Sequence, residues 1–169
     1  MKDNERRAIE SALQKAIEAE TAGEHFYRMA AKSTRDAKGR EVFERLADEE
    51  KCHFEYLRDA CRSVREGGSI GVQVGKAAAL DAEDPIFSPE LRRRIGEAHY
   101  EMSALSVGIQ LELNARNFYK ESADRAADAG VRAFFAELAR WETVHYEGLL
   151  RQNEALKEGY WAEAGFAPI

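Results

Sequence analysis

Apolar residues recur at intervals of three and four along four long stretches of the chain, the period of an amphipathic helix. The first helix is predicted from about Asn4 to Ser33, with Leu13, Ile17, Tyr27 and Ala31 on one face and Lys15, Glu18, Arg28 and Lys32 mostly elsewhere. A turn near Thr34 to Lys38 leads into a second, from about Gly39 to Glu66, whose inner face carries Phe43, Leu46, Ala47, Phe54 and Leu57 before Gly67-Gly68 ends it. The third is expected over about Ser103 to Ala127 (Leu105, Ile109, Tyr119, Ala123) and the fourth over about Val131 to Ala155 (Phe135, Leu138, Leu149). The connection from Ser69 to about Met102 breaks the pattern and carries all but one of the prolines. It holds a short helix signal at Ser88-Pro89-Glu90, where serine caps and proline takes the first helical position. So long a connection is out of proportion to a tight helix turn and long enough to cross the length of a bundle. The expected architecture is an all-α four-helix bundle over residues 1–158, with a crossover at about 67–102 that makes helices two and three parallel. Residues 159–169, with Tyr160, Trp161 and Phe166, read as a short aromatic tail packed on the bundle or on a second subunit.

The two halves repeat each other at an offset of 92 residues: Leu13 with Leu105, Ile17 with Ile109, Phe26-Tyr27 with Phe118-Tyr119, Phe43 with Phe135, Leu46-Ala47 with Leu138-Ala139 and Leu57 with Leu149. The chain is a duplicated helical hairpin, so two hairpins related by a pseudo-twofold present equal sets of side chains to one another.

Polar residues interrupt the apolar faces at six places, and these follow the same repeat. Glu50-Lys51-Cys52-His53 and Glu142-Thr143-Val144-His145 are again 92 residues apart, and each is preceded 30 residues upstream by a lone glutamate, Glu20 and Glu112. Positions i and i+3 of a helix lie about 60° apart, so the carboxylate and imidazole of each motif enter one cavity. An isolated Glu-x-x-His is ordinarily a surface pair contributing a few tenths of a kcal/mol. Here two of the four histidines lie in the repeated motif and all six positions fall on apolar faces. Four carboxylates and two imidazoles buried together without a cation are electrostatically untenable, whereas bundles hold two metal ions with such a set. Carboxylate with imidazole and no thiolate suits iron or manganese; two carboxylates can bridge, leaving each ion a terminal glutamate, a histidine and open positions for oxygen or peroxide. Gly23, almost one turn beyond Glu20, costs roughly 1 kcal/mol in a helix, which suggests that the space beside Glu20 is wanted empty. Tyr27 and Tyr119 lie two turns beyond Glu20 and Glu112 on the same faces, so either hydroxyl can reach a ligand carboxylate or simply pack in the core. His25 and His99 are off the ligand spacing and read as surface or capping residues.

Composition narrows the function classes. At 169 residues the chain is most simply one domain with a real core. A formal charge of -6 without a Lys/Arg cluster argues against nucleic acid. Apolar runs are too short to span a bilayer, and the charged amino end, Met1 to Arg7, is unlike a signal peptide, so a cytoplasmic protein is expected. Cys52 and Cys61 sit about half a turn out of phase on one helix and cannot bridge within the chain.

These residues carry a family resemblance. Glu20, Glu50-x-x-His53, Glu112 and Glu142-x-x-His145, with the crossover between the halves, resemble the ferritin-like superfamily of di-iron carboxylate proteins. The Phe26-Tyr27 pair, the stretch Gly39-Arg-Glu-Val-Phe-Glu-Arg-Leu-Ala-Asp-Glu-Glu-Lys-Cys-His53 and the duplicated hairpin are most similar to the rubrerythrin family. The resemblance covers nearly the whole chain except the tail. It implies that Glu50 and Glu142 bridge two irons, that Glu20 and Glu112 are terminal ligands beside His53 and His145, and that Tyr27 and Tyr119 support the site. It further implies reduction of hydrogen peroxide with electrons from a rubredoxin-type iron site. Rubrerythrins usually carry a rubredoxin domain with two Cys-x-x-Cys motifs; this sequence has none, so the donor is expected to be a separate protein such as rubredoxin. The family also commonly has a further glutamate one turn after the helix-three ligand, where Ala115 stands here, mirroring Gly23. The resulting four-glutamate, two-histidine set resembles bacterioferritin as well; haem is not expected, since Lys51 follows Glu50 where bacterioferritins can carry a methionine ligand.

Three functions remain open on the sequence: a peroxide (or oxygen) reductase, a ferroxidase that handles or stores iron, and a di-iron substrate hydroxylase. A manganese occupant would shift the first toward catalase-like chemistry. A homodimer or higher homo-oligomer is expected, and exchange of a hairpin between subunits would build the same six-residue set in trans.

Overall fold

The computed structural model describes residues 3–70, 86–93, 96 and 98–163. Five helices follow one another, α1 (Asp3–Ser33), α2 (Ala37–Arg65), α3 (Pro89–Arg93), α4 (His99–Arg125) and α5 (Ala129–Glu163), with no strand among the described residues. The four long helices are those the periodicity predicts, and the fold is all-α, as expected.

α1 packs against α2 and α4 against α5 as two hairpins, and the hairpins meet mainly through α1 and α4. Tyr27 of α1 lies level with Glu112 of α4, and Glu20 with Tyr119, so α1 and α4 are antiparallel. α1 is also antiparallel to α2, which makes α2 and α4 parallel, as a lengthwise connection between them requires. Residues 71–85, 94, 95 and 97 of the expected crossover lie outside the described residues.

Two apolar clusters divide the core, and the duplication distributes its members between them. Tyr27, Phe43, Leu46, Leu105 and Leu149 belong to one, and their counterparts Tyr119, Phe135, Leu138, Leu13 and Leu57 to the other. Tyr27 stacks on Phe43 at 6.3 Å and 19°, and Tyr119 on Phe135 at 6.1 Å and 23°. The expected inner faces are otherwise buried, but Ile17, its mirror Ile109, and Phe54 are only half-buried. The six polar residues lie between the two clusters, so apolar packing on both sides holds their helices in register.

Helix ends depart from the sequence pattern for local reasons. α2 begins at Ala37 because Asp36 caps it, its side chain accepting from the Gly39 amide at 2.8 Å. Gly39 falls inside the first turn because Phe87 covers it; a Cβ there would lie 2.5 Å from the ring. The same Asp36 carboxylate accepts from the Ser88 amide and hydroxyl, tying the α3 segment to the start of α2. Ser88 Oγ in turn accepts from the Leu91 amide at 3.2 Å, as its capping signal predicts. α5 continues through Tyr160 and Trp161 to Glu163, so residues 159–163 are helical rather than a tail. One glycine costs a helix only about 1 kcal/mol, and Tyr160 packs against the core, which offsets it. Residues 164–169 lie outside the described residues.

Candidate metal centre

Each of the four long helices turns its polar interruption inward, and a single chain brings all six residues together. Glu20, Glu50, His53, Glu112, Glu142 and His145 are each at most 4 % exposed. Their ligand atoms form two overlapping groups: Glu20, Glu50, His53 and Glu142 in one, Glu50, Glu112, Glu142 and His145 in the other, the atoms of each within 4.8 Å of one another. Glu50 and Glu142 are common to both, while Glu20 and Glu112 belong to one each. His53 Nδ1 is 3.2 Å from Glu20 Oε2 and 3.0 Å from Glu142 Oε1. His145 Nδ1 stands further off, 3.6 Å from Glu112 Oε2 and 3.8 Å from Glu142 Oε2. The two imidazoles are nearly parallel, centroids 5.7 Å apart.

The tyrosines are wholly buried and cross between hairpins. Tyr27 donates its hydroxyl hydrogen to Glu112 and Tyr119 to Glu20, so each hairpin holds the outer glutamate of the other. Gly108 makes room for this: a Cβ there would sit 3.1 Å from the Tyr27 oxygen. Burial and the surrounding carboxylates push both phenols well above their ordinary value, so they remain hydrogen donors.

The carboxylates separate into two kinds. Burial pushes Glu50 well above the usual range and Glu142 up to about 7, the charges of Glu20 and Glu112 adding in the same direction. Burial also opposes ionisation of Glu20 and Glu112, but the close approach of the neighbouring carboxyls and of His53 or His145, together with the tyrosine hydroxyls, lowers both, Glu112 to about 2. Burial works against protonating the imidazoles, yet their carboxylate neighbours raise both well above the histidine norm. The bare cluster therefore compensates its negative charge with protons. Even so, the 3.0 Å approach of Glu142 Oε1 to His53 Nδ1 lacks hydrogen-bond geometry, and both oxygens of Glu142 and Nδ1 of His145 are buried without a well-formed hydrogen bond. Unpartnered buried polar atoms are costly, and a set of carboxylate oxygens and imidazole nitrogens aimed at one another is what two divalent cations would satisfy. The residues fit a di-iron centre.

A cavity of about 350 Å³ reaches the cluster between α1 and α4. All four glutamates line it, with Ala19, Ala22, Leu111 and Phe118 along the walls and Lys15 and Asn114 toward solvent. Small side chains at Gly23 and Ala115 keep it open. The space that Gly23 leaves is taken by Glu50 rather than Glu20: a Cβ there would be 3.2 Å from Glu50 Cδ.

Two neighbours of the cluster escape the spacing argument. Glu49 places a carboxylate oxygen on His145 Nε2, and Trp141 lays its ring against His53 with centroids 4.9 Å apart. Each directly precedes a Glu-x-x-His glutamate, where the helical period expects an outward residue. They do occupy equivalent positions at the 92-residue offset, and that mismatch is the one signal in the sequence. His25 and His99 are exposed and away from the site; Cys52 is exposed, Cys61 buried, and both are free.

Fold and site together define a ferritin-like helical bundle with a buried carboxylate-histidine cluster compatible with two metal ions. The rubrerythrin family model matches residues 11–104, more than half of the chain, and the chain belongs to that family. No curated protein and no solved structure matches it. No described helix is long and apolar enough to cross a membrane.

Proposed function

We propose that this chain is a di-iron oxidoreductase that reduces hydrogen peroxide, with Glu20, Glu50, His53, Glu112, Glu142 and His145 as metal ligands and a separate protein as electron donor. The observation that carries the reading is the overlap of two donor groups through Glu50 and Glu142 at the floor of a cavity. Two irons held there would supply the two electrons that, with two protons, convert one peroxide to two waters.

The chain's own residues set the approach and the geometry. Glu50 and Glu142, common to both donor groups, would be shared by the two ions, and Glu20 and Glu112, which accept from Tyr119 and Tyr27, would serve one each. His53 and His145 come from α2 and α5, away from the cavity between α1 and α4, so the oxidant arrives on the carboxylate side. Between walls of Leu111, Phe118 and alanine the cavity leaves a passage wide enough for a small molecule such as peroxide. Ala115→Phe, which fills this space, is expected to slow oxidation of the loaded protein by peroxide on the order of tenfold, a barrier increase of about 1.4 kcal/mol. Its metal stoichiometry should be unchanged; stopped-flow rates at equal iron content check this, and an unaltered rate would mean that the oxidant enters elsewhere.

The reading is tested by loading the protein anaerobically with two ferrous ions per chain and comparing oxidation by peroxide and by oxygen. Faster oxidation by peroxide, at one peroxide per pair of irons, is the expected result. Faster oxidation by oxygen with continued uptake beyond two irons per chain would instead make it a ferroxidase.

A further inference from the structure

The six candidate ligands repeat symmetrically, but what stands behind the two histidines does not. Behind His145, Glu49 accepts from Nε2, and Glu49 is itself largely buried, its side chain 14 % exposed. Behind His53 the equivalent position is Trp141, an indole that packs on the imidazole and has no acceptor to offer. Trp141 is in turn covered edge-on by Tyr56 at 5.9 Å, where the other hairpin has Gly148 at the 92-residue offset. The inward nitrogens differ as well. His53 Nδ1 already contacts Glu20 and Glu142 at 3.2 and 3.0 Å, whereas His145 Nδ1 has no hydrogen-bond partner.

Resting on the two-metal reading above, we propose that Glu49 is a positioning residue that makes the two metal positions unequal, so that the ion beside His145 binds first and more tightly than the ion beside His53. Two physical effects act in the same direction. A carboxylate on the outer nitrogen fixes the ring's orientation, keeps the remaining proton on Nε2 and raises the donor strength of Nδ1. Metal at His145 also displaces no imidazole-carboxylate contact shorter than 3.6 Å, while metal at His53 replaces two shorter ones. The duplicated hairpin thus keeps one ligand set and diverges around it, one half anchoring its ion and the other holding it more loosely.

The test is titration of the metal-free full chain with Co(II), followed by calorimetry and by visible absorption, neither of which depends on turnover. Two resolved steps are expected. Glu49→Gln should weaken the first by about 10- to 100-fold, the range typical of lost outer partners of metal-bound histidines, and leave the second unchanged. Because glutamine keeps the size and a weaker acceptor, the fold should tolerate it; as an independent check, His145→Ala should remove the tight step and His53→Ala the weak one. Two equal steps in the wild type, equal weakening of both by Glu49→Gln, or a tight step that survives His145→Ala would overturn this inference alone. Absence of any Co(II) binding would overturn the two-metal reading with it.

Discussion

Glu142→Gln is expected to cut metal binding from two ions per chain to at most one and, in the same protein, to stabilise the metal-free fold. The opposite signs arise from one side chain. Glu142 belongs to both donor groups, so if it is shared by two ions as proposed, losing its charge weakens both positions. Without metal, the same carboxylate is a burden: burial and the charges of Glu20 and Glu112 push it to about 7, and neither of its oxygens makes a well-formed hydrogen bond. Moving a carboxyl from 4.5 to about 7 corresponds to a penalty on the order of 3 kcal/mol for ionising it, and a neutral amide of the same shape escapes it. Mn(II) stoichiometry by calorimetry and urea unfolding at pH 8 in a chelator measure the two effects. A variant that binds two ions normally would contradict the assignment of Glu142 to both ions, and one less stable than the parent without metal would contradict the burden that its buried carboxylate imposes.

The second large effect is on stability against pH, which should run in opposite directions with and without metal. Glu50 and Glu142 are raised above their ordinary 4.5, and His53 and His145 above their ordinary 6.5, so over this range the folded cluster holds more protons than the unfolded chain. Stability supported by those protons falls as pH rises: for Glu142 between 4.5 and about 7, and for the histidines from 6.5 upward. Glu20 and Glu112 are lowered and act oppositely, but their contribution is complete above 4.5 and is lost only as pH falls toward about 2. The metal-free protein is therefore expected to lose thermal stability between about pH 5 and pH 8. Metal ions compete with the same protons, so affinity rises with pH, and free metal at 100 times its dissociation constant adds about 2.7 kcal/mol. Melting temperatures at pH 5, 6.5 and 8, in chelator and in Mn(II), would show the two curves diverging. A metal-free melting temperature that climbs across this window would mean that the cluster is not held together by protons.

Much of this architecture was legible in the chain because two periodicities reinforce one another. The helical period places Leu13, Phe43, Leu105 and Phe135 on inner faces, and the 92-residue repeat shows that Glu20, Glu50, His53, Glu112, Glu142 and His145 interrupt those faces in equivalent places. A charged residue recurring in an apolar stripe has to be matched by something, and that physical demand alone marks the six positions. Helix ends were less legible, because they depend on distant contacts. Asp36 and Phe87 set the start of α2, and packing of Tyr160 on the core carries α5 past Gly159 to Glu163.

What surrounds the six residues belongs to the tertiary structure. Periodicity puts Tyr27 on the face of Glu20, but the antiparallel approach of α1 and α4 sets it against Glu112, and Tyr119 against Glu20. Glu49 and Trp141 sit at positions that a helical wheel turns away from the centre, and only the packing of α2 against α5 brings them onto the imidazoles. The cavity is a gap between helices 92 residues apart in the duplication, and no single sequence window encodes its width. Spacing along one helix fixes directions about its own axis, so the sequence by itself determined that the six carboxylate and imidazole side chains point inward. Distances between helices are decided by how their side chains interlock, and with them came the partners, the proton balance and the route to solvent.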